Sequence, residues 1–298
     1  MRKKKNSMKQ LLRRIIPALI ILLVAFNVWA ESSVWVVSSS KAKVYLAGSF
    51  HMLRASDYPL PPEFSTAYKN SRKIIFEITP DETGNQGQMV EFLSGAIYAD
   101  GTTLKDHISP EAYAKAEKFC RERNYPLELY RLFKPALFVM TLTIQEMNRI
   151  GADPQKGVDY FFKEKALQDG KATGSLETVD EQLRLLLSME SAVGNDQILE
   201  SIDEFKQIET ALKEYLAAWR KGDELKMEGL FINGLKFYPK LYQTIVVDRN
   251  NRWLGDIKKF LNSSENTMVV VGAAHLVGPD GLVSLLRKQG YKVLKLKQ

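Results

Sequence analysis

Cysteine and histidine are scarce in this chain of 298 residues, which holds one of the first and three of the second. Cys120 has no partner within the chain, so no intramolecular disulfide forms and stability must come from a buried core. With 45% hydrophobic residues, the chain has material for a substantial one. Low-complexity tracts, Pro/Gly/Ser-rich linkers and, apart from two short Gly-x-x-His segments, internal repeats are missing as well, which argues for a single cooperative unit. Long apolar runs are few. Ile15 to Val28 is the longest, and Pro17 and Asn27 interrupt it, short of the roughly 20 residues a spanning helix needs.

That run reads as the core of a secretory signal covering residues 1–30. Arg2, Lys3, Lys4, Lys5, Lys9, Arg13 and Arg14 form a basic segment ahead of it, and Val28-Trp29-Ala30 is a small-residue cleavage site. A retained anchor is the alternative. Cleavage after Ala30 would make the protein periplasmic or secreted, with no stable membrane span. It would also remove seven of the 42 basic residues and none of the 35 acidic ones, so the formal charge falls from +7 to zero. The basic character belongs to the leader, and a nucleic-acid partner has no electrostatic footprint left to support it.

From Glu31 onward, strand-like and helical stretches alternate, as in an α/β protein. Strands are expected at Val34–Val37, Val44–Ala47, Ile74–Ile78, Ala172–Leu176, Met268–Val271 and Tyr291–Leu296. Between the third and fourth lies a mainly helical insertion, from about residue 89 to 171. Ser109-Pro110 and Asp153-Pro154 mark helix starts there, and Pro135 should kink or divide the helix within Leu129–Ile150. A second helical stretch runs from Thr178 to Leu261. It opens on the capping box Thr178-Val179-Asp180-Glu181 and includes Phe205, Ile208, Leu212, Leu216 and Trp219 at helical spacing. The sheet is therefore built from both ends of the chain, as one α/β domain over residues 31–298.

Two segments share one pattern: Gly48-Ser49-Phe50-His51 and Gly272-Ala273-Ala274-His275 each follow an apolar strand-like run. A strand ending in Gly-x-x-His sets its imidazole beyond the strand's carboxyl end, where open α/β sheets place ligands. Glu77 ends the run Ile74-Ile75-Phe76, and Glu177 follows Ser175-Leu176. If the strands are parallel, His51, Glu77, Glu177 and His275 share one sheet edge. Two imidazoles and one or two carboxylates suit Zn²⁺, Mn²⁺ or Fe²⁺ with a coordination position open.

Each residue also has a purely structural reading. A lone histidine at a strand end is usually a surface or hydrogen-bonded residue, and Glu77 reads equally well as half of a structural ion pair with an arginine. Glu177 fits a helix-capping role. Arg249-Asn250 fits the polar start of the amphipathic helix through Trp253, Ile257 and Leu261. His107 lacks the strand context and is expected in a solvated loop.

Taken in order, these pieces resemble the TraB/PrgY/GumN family, its GumN branch most, a group that also includes the Tiki-type membrane proteases. The resemblance rests on Val44 to His51, Phe76-Glu77-Ile78, Gly157-Val158-Asp159-Tyr160-Phe161 and Leu176-Glu177-Thr178 with Gln182. It continues through Trp219-Arg220-Lys221-Gly222-Asp223, Arg249-Asn250, and Val270 to Leu276 with Gly278 and Gly281. Ser49 stands where the family commonly has Thr, and Asp248 where it commonly has Glu. The resemblance implies a divalent-metal hydrolase, most plausibly a peptidase, taking Zn, Mn, Fe or Co through His51, Glu77 and His275. It sets Glu177, Arg249 and Asn250 beside them; in such a site Glu77 would ligate the metal or act as general base, Glu177 could be that base instead, and Arg249 and Asn250 would stabilise the oxyanion or orient the substrate carbonyl. An esterase acting on a small molecule, or a non-catalytic periplasmic accessory binding a cofactor, a polysaccharide or an envelope partner, would use the same edge.

Overall fold

A computed structural model describes residues 31–79 and 86–297; the expected signal segment, 1–30, lies outside the described residues. Six strands form one sheet: β1 (Val34–Ser38), β2 (Lys43–Ser49), β3 (Lys73–Phe76), β4 (Ala172–Ser175), β5 (Thr267–Gly272) and β6 (Lys292–Lys295). Their spatial order is β4-β3-β5-β2-β1-β6. β4, β3, β5 and β2 are parallel neighbours, and β1 runs against both β2 and β6. All six expected strands are present, and the protein is α/β.

β5 sits between β2 and β3 and is buried along its whole length, as is β2 after Lys43. Near-continuous apolar sequence is what a parallel strand covered on both faces requires. The covering helices bring large side chains, Phe64, Phe162, Trp219 and Trp253 among them, all fully buried against the sheet. No helix among the described residues is long and apolar enough to cross a membrane.

Local signals set several helix ends. Ser109 Oγ accepts from Ala112 N–H ahead of the Pro110–Arg123 helix, and the Thr178 box closes in both directions. Pro135 divides its region: it starts the Pro135–Arg149 helix, with Lys134 at the cap. Two expectations need correction. Asp153-Pro154 opens only a short 3₁₀ turn, Pro154–Lys156, and the helix begins after Gly157, at Val158. The periodic run from Phe205 to Trp219 is broken at Lys206-Gln207, between the helices Asn195–Phe205 and Ile208–Lys221. The break has a packing reason. Phe205 belongs to a second apolar cluster with Phe119, Phe138 and Ile202, whereas Leu212, Leu216 and Trp219 face the sheet. That second cluster joins helices from both helical stretches.

Candidate functional site

Because β2 to β5 are parallel, the segments that follow them emerge at one edge. His51 lies two residues past β2, Glu77 one past β3, Glu177 two past β4 and His275 three past β5. Glu77 is just outside its strand, not within it. Its carbonyl accepts from the Leu176 and Glu177 N–H groups, which ties the ends of β3 and β4 together.

The loop bearing His51 is held from two sides. Trp219 Nε1 donates to the Gly48 carbonyl at 2.7 Å, and Phe50 packs on the Trp219 ring. Val158 N–H donates to Phe50 O, and a Cβ on Gly157 would lie 2.4 Å from the His51 carbonyl, so only glycine admits this approach. The contact delivers Asp159, in the first turn of the Val158–Gln168 helix, to His51. Asp159 Oδ1 accepts from His51 Nδ1 at 3.1 Å and from Ser49 Oγ at 2.6 Å.

His275 closes a 3₁₀ turn after β5 and is buried. Arg249 Nη1 donates to its Nε2 at 2.9 Å, so the ring's proton is on Nδ1, which donates to Asn250 Oδ1 at 2.8 Å. Asn250 Nδ2 donates to the carbonyls of His275 and Asp280. The amide is thus fully used in holding His275, and none of it is left for a substrate carbonyl.

Glu77 stands between the two imidazoles: its Oε1 lies 4.0 Å from His51 Nε2 and 3.9 Å from His275 Nε2. The same oxygen accepts from Gly272 N–H at 2.6 Å, and Oε2 accepts from Arg249 Nη2 at 2.6 Å. Arg249 also forms a bidentate pair with Glu177, at 2.9 and 3.0 Å, and lies over the Trp253 ring. The arginine expected as a structural partner for Glu77 is therefore Arg249. Glu177 takes a further bond from Arg252 and lines a neighbouring cleft with it, behind Arg249. It does not cap the Thr178 helix. Arg249 and Asn250 sit in the first turn of the Asp248–Leu261 helix, and both are buried. His107 is exposed, as expected, although it ends a short helix and stacks on Tyr98.

The charges differ sharply around this centre. Burial would raise the Glu77 carboxyl, but His275, Arg249, His51 and the Gly272 N–H hold it down to about 2. Burial pushes His275 down to about 3, and Arg249 adds to this against the pull of Glu77. Crowding opposes a charge on His51 too, yet the hydrogen bond and charge of Asp159, with Glu77, raise it to about 9.

The donor set fits a divalent ion. Ligand atoms 3.9–4.0 Å apart need to close by only a few tenths of an ångström around an ion that binds N and O at roughly 2.0–2.2 Å. Each imidazole gives Nδ1–H to an oxygen, the usual outer-shell arrangement of a ligating histidine, and has Nε2 within 4.0 Å of Glu77 Oε1; on His275 that nitrogen is the one Arg249 Nη1 holds, so an ion there would displace the guanidinium. A Cβ on Gly272 would lie 3.2 Å from both Glu77 Oε1 and His51 Nε2 and 3.6 Å from the His275 ring. The missing side chain leaves a cradle among the three. A cleft of about 500 Å³ opens onto them. Sequence reasoning gave Asp159 no role, although its segment carried part of the family resemblance.

A family model, described as the TraB/PrgY/gumN family, matches residues 33–295. The uncharacterized protein YbaP of Escherichia coli (strain K12) is 22% identical over 249 residues, covering 82% of this chain and 87% of the relative. YbaP of Shigella flexneri matches to the same extent. No solved structure matches. With its edge cluster and nearly its whole described length inside that match, the chain belongs to the TraB/PrgY/gumN family.

Proposed function

We propose that this protein is a divalent-metal-dependent hydrolase of the bacterial cell envelope, acting on peptide bonds. One observation carries the reading: two histidines from opposite ends of the chain, each fixed through Nδ1, bring Nε2 within 4.0 Å of a single carboxylate oxygen around a space that Gly272 leaves open. His51, Glu77 and His275 would hold the ion. Such an ion supplies Lewis acidity and hydroxide at neutral pH.

The chain's own residues have separable tasks. Asp159 and Asn250 position the two imidazoles. Glu177 positions Arg249 from behind and lies off the cleft, which disfavours it as general base. Arg249, which reaches the cleft and gives Nη1 to His275, would be the donor suited to a developing oxyanion if that Nη1 were released from His275. Glu77, held ionised, serves as ligand.

Metal analysis of protein purified without a histidine tag tests this, together with hydrolysis of casein and of p-nitrophenyl esters before and after EDTA. Expected are close to one bound divalent ion per chain and casein cleavage that EDTA removes and Zn²⁺, Mn²⁺, Fe²⁺ or Co²⁺ restores. Gly272 has φ −48° and ψ 134°, open to alanine. Gly272→Ala should therefore fill the cradle and lose the ion while the fold persists. Metal-free protein that binds none of these ions at micromolar concentration overturns the proposal; cleavage of esters alone transfers it to an esterase. Fractionation with N-terminal sequencing tests the location, with a start near Glu31 expected.

A further inference from the structure

The edge cluster is not at the bottom of one pit. His51 and Glu77 line two clefts at once, the one of about 500 Å³ already described and a second of about 330 Å³. The His51 side chain, 58% exposed, stands on the divide. The two arms differ in chemistry. Beyond the cluster, the larger is walled by Phe50, Tyr215, Leu230, Phe231 and Ile245. Phe231 is its centre: Tyr215 stacks on it at 5.3 Å and Phe50 meets it edge-on at 5.8 Å, so the wall is set by packing before any ligand arrives. The smaller arm is the more polar of the two, with Asp159, Tyr160 and Gln182 among Phe76, Ile78, Pro154 and Val270.

We infer that the substrate is an extended polypeptide segment laid across both arms, with a bulky aromatic or branched aliphatic side chain in the Phe231 arm and the bond to be cut over His51 and Glu77. This rests on the hydrolase reading. A small ester fills one arm and leaves the other without use. A polysaccharide is disfavoured because its hydroxyls would lose water against Phe50, Leu230, Phe231 and Ile245 with few partners in return. A peptide alternates side chain and backbone along one strand, and so can offer an apolar group to one arm and amides to the other. Clefts of this size are the usual scale for such ligands.

The test uses alanine heptapeptides, acetylated and amidated at their ends, in which one Phe or one Ser is moved through each position. Mass spectrometry of the digest is expected to place the cut at a fixed offset from Phe, with Ser peptides cut at least about tenfold more slowly, as loss of an aromatic group from an apolar site implies. Calorimetric binding to the EDTA-treated protein supplies an arm independent of turnover. Phe peptides should bind about tenfold more tightly than Ser peptides, and Phe231→Ser should erase the difference. Ile245→Ser, on another element, covers the case in which Phe231→Ser fails to fold. Cleavage with no fixed offset, or equal binding of Phe and Ser peptides, overturns the groove and leaves the hydrolase standing. A binding preference with no cleavage of any peptide removes the hydrolase and keeps the groove as a peptide-binding one.

Discussion

The two Gly-x-x-His loops begin alike and end as opposites. His51 keeps 58% of its side chain exposed, donates to a carboxylate and is raised to about 9; His275 keeps 6%, donates to an amide and is lowered to about 3. The strand and the glycine decide where an imidazole stands. Its charge is decided by what stands behind it, Asp159 in one loop and Asn250 with Arg249 in the other. The pair thus combines one histidine on the solvent side of the cluster with one locked into the scaffold.

Removing Arg249 should disturb this contrast most. It separates Glu77 from Glu177 and fills His275 Nε2, so Arg249→Ala strands buried carboxylates, and urea unfolding of metal-free protein should show a loss of about 3–5 kcal/mol. A loss under about 1 kcal/mol would mean that water or another cation balances the centre. Next comes His275→Ala, which opens a cavity beside Trp253 and leaves Asn250 Oδ1 and Arg249 Nη1 without their partner; about 2–4 kcal/mol is expected. His51→Ala should stay within about 1 kcal/mol, because its ring is half in solvent and Asp159 keeps Ser49. Equal costs for the two would erase the asymmetry.

Glu77→Gln ranks third, at about 1–3 kcal/mol in metal-free protein. The amide oxygen can still accept from Gly272, while the amide nitrogen meets the Arg249 donor head-on. Arg249 is not abandoned, since Glu177 keeps both of its bonds, and the cost therefore falls below that of a fully broken buried pair. A loss of 3–5 kcal/mol with undiminished metal content would make Glu77 scaffolding alone.

The smallest effect is the pH dependence. His51 titrates in the folded state near 9, above its ordinary 6.5, so its contribution to stability is complete below about 6.5 and is lost as pH rises through about 9. His275 works the other way: held at about 3, it makes the folded state refuse a proton that the unfolded chain accepts, and stability declines as pH falls below about 6.5. Urea midpoints of metal-free protein across this range should show both limbs. Asp159→Asn should flatten the alkaline one and lower the His51 midpoint in an NMR titration. An unmoved midpoint would show that Glu77, and not Asp159, sustains the charge.

Much of this arrangement was legible in the residues. Three apolar runs ending in Gly-x-x-His or in Glu, and the more polar Ala172–Ser175 before Glu177, located four strand ends, and parallel pairing places them at one edge. Capping at Ser109 and Thr178 was legible because those hydrogen bonds span three residues. Asp159 was not, since its part depends on a glycine against a carbonyl more than a hundred positions away. Nor was the break at Lys206-Gln207. The 3.6-residue rhythm continues through it, and only the existence of two separate apolar clusters says which side of the rhythm each residue serves. Likewise, Asn250 carries the same amide whether it greets a substrate or fixes a neighbour, and only tertiary contacts choose.

The interleaving of β5 between β2 and β3 has a consequence for the protein's life before folding. The bond from Gly272 to Glu77 closes over 195 positions, and His275 comes later still. A ribosome-bound or truncated chain that stops short of Thr267 has neither the central strand nor the second imidazole. The proposed hydrolytic centre would stay latent in any chain that has not yet reached His275, because the second imidazole and the strand that positions it are supplied together.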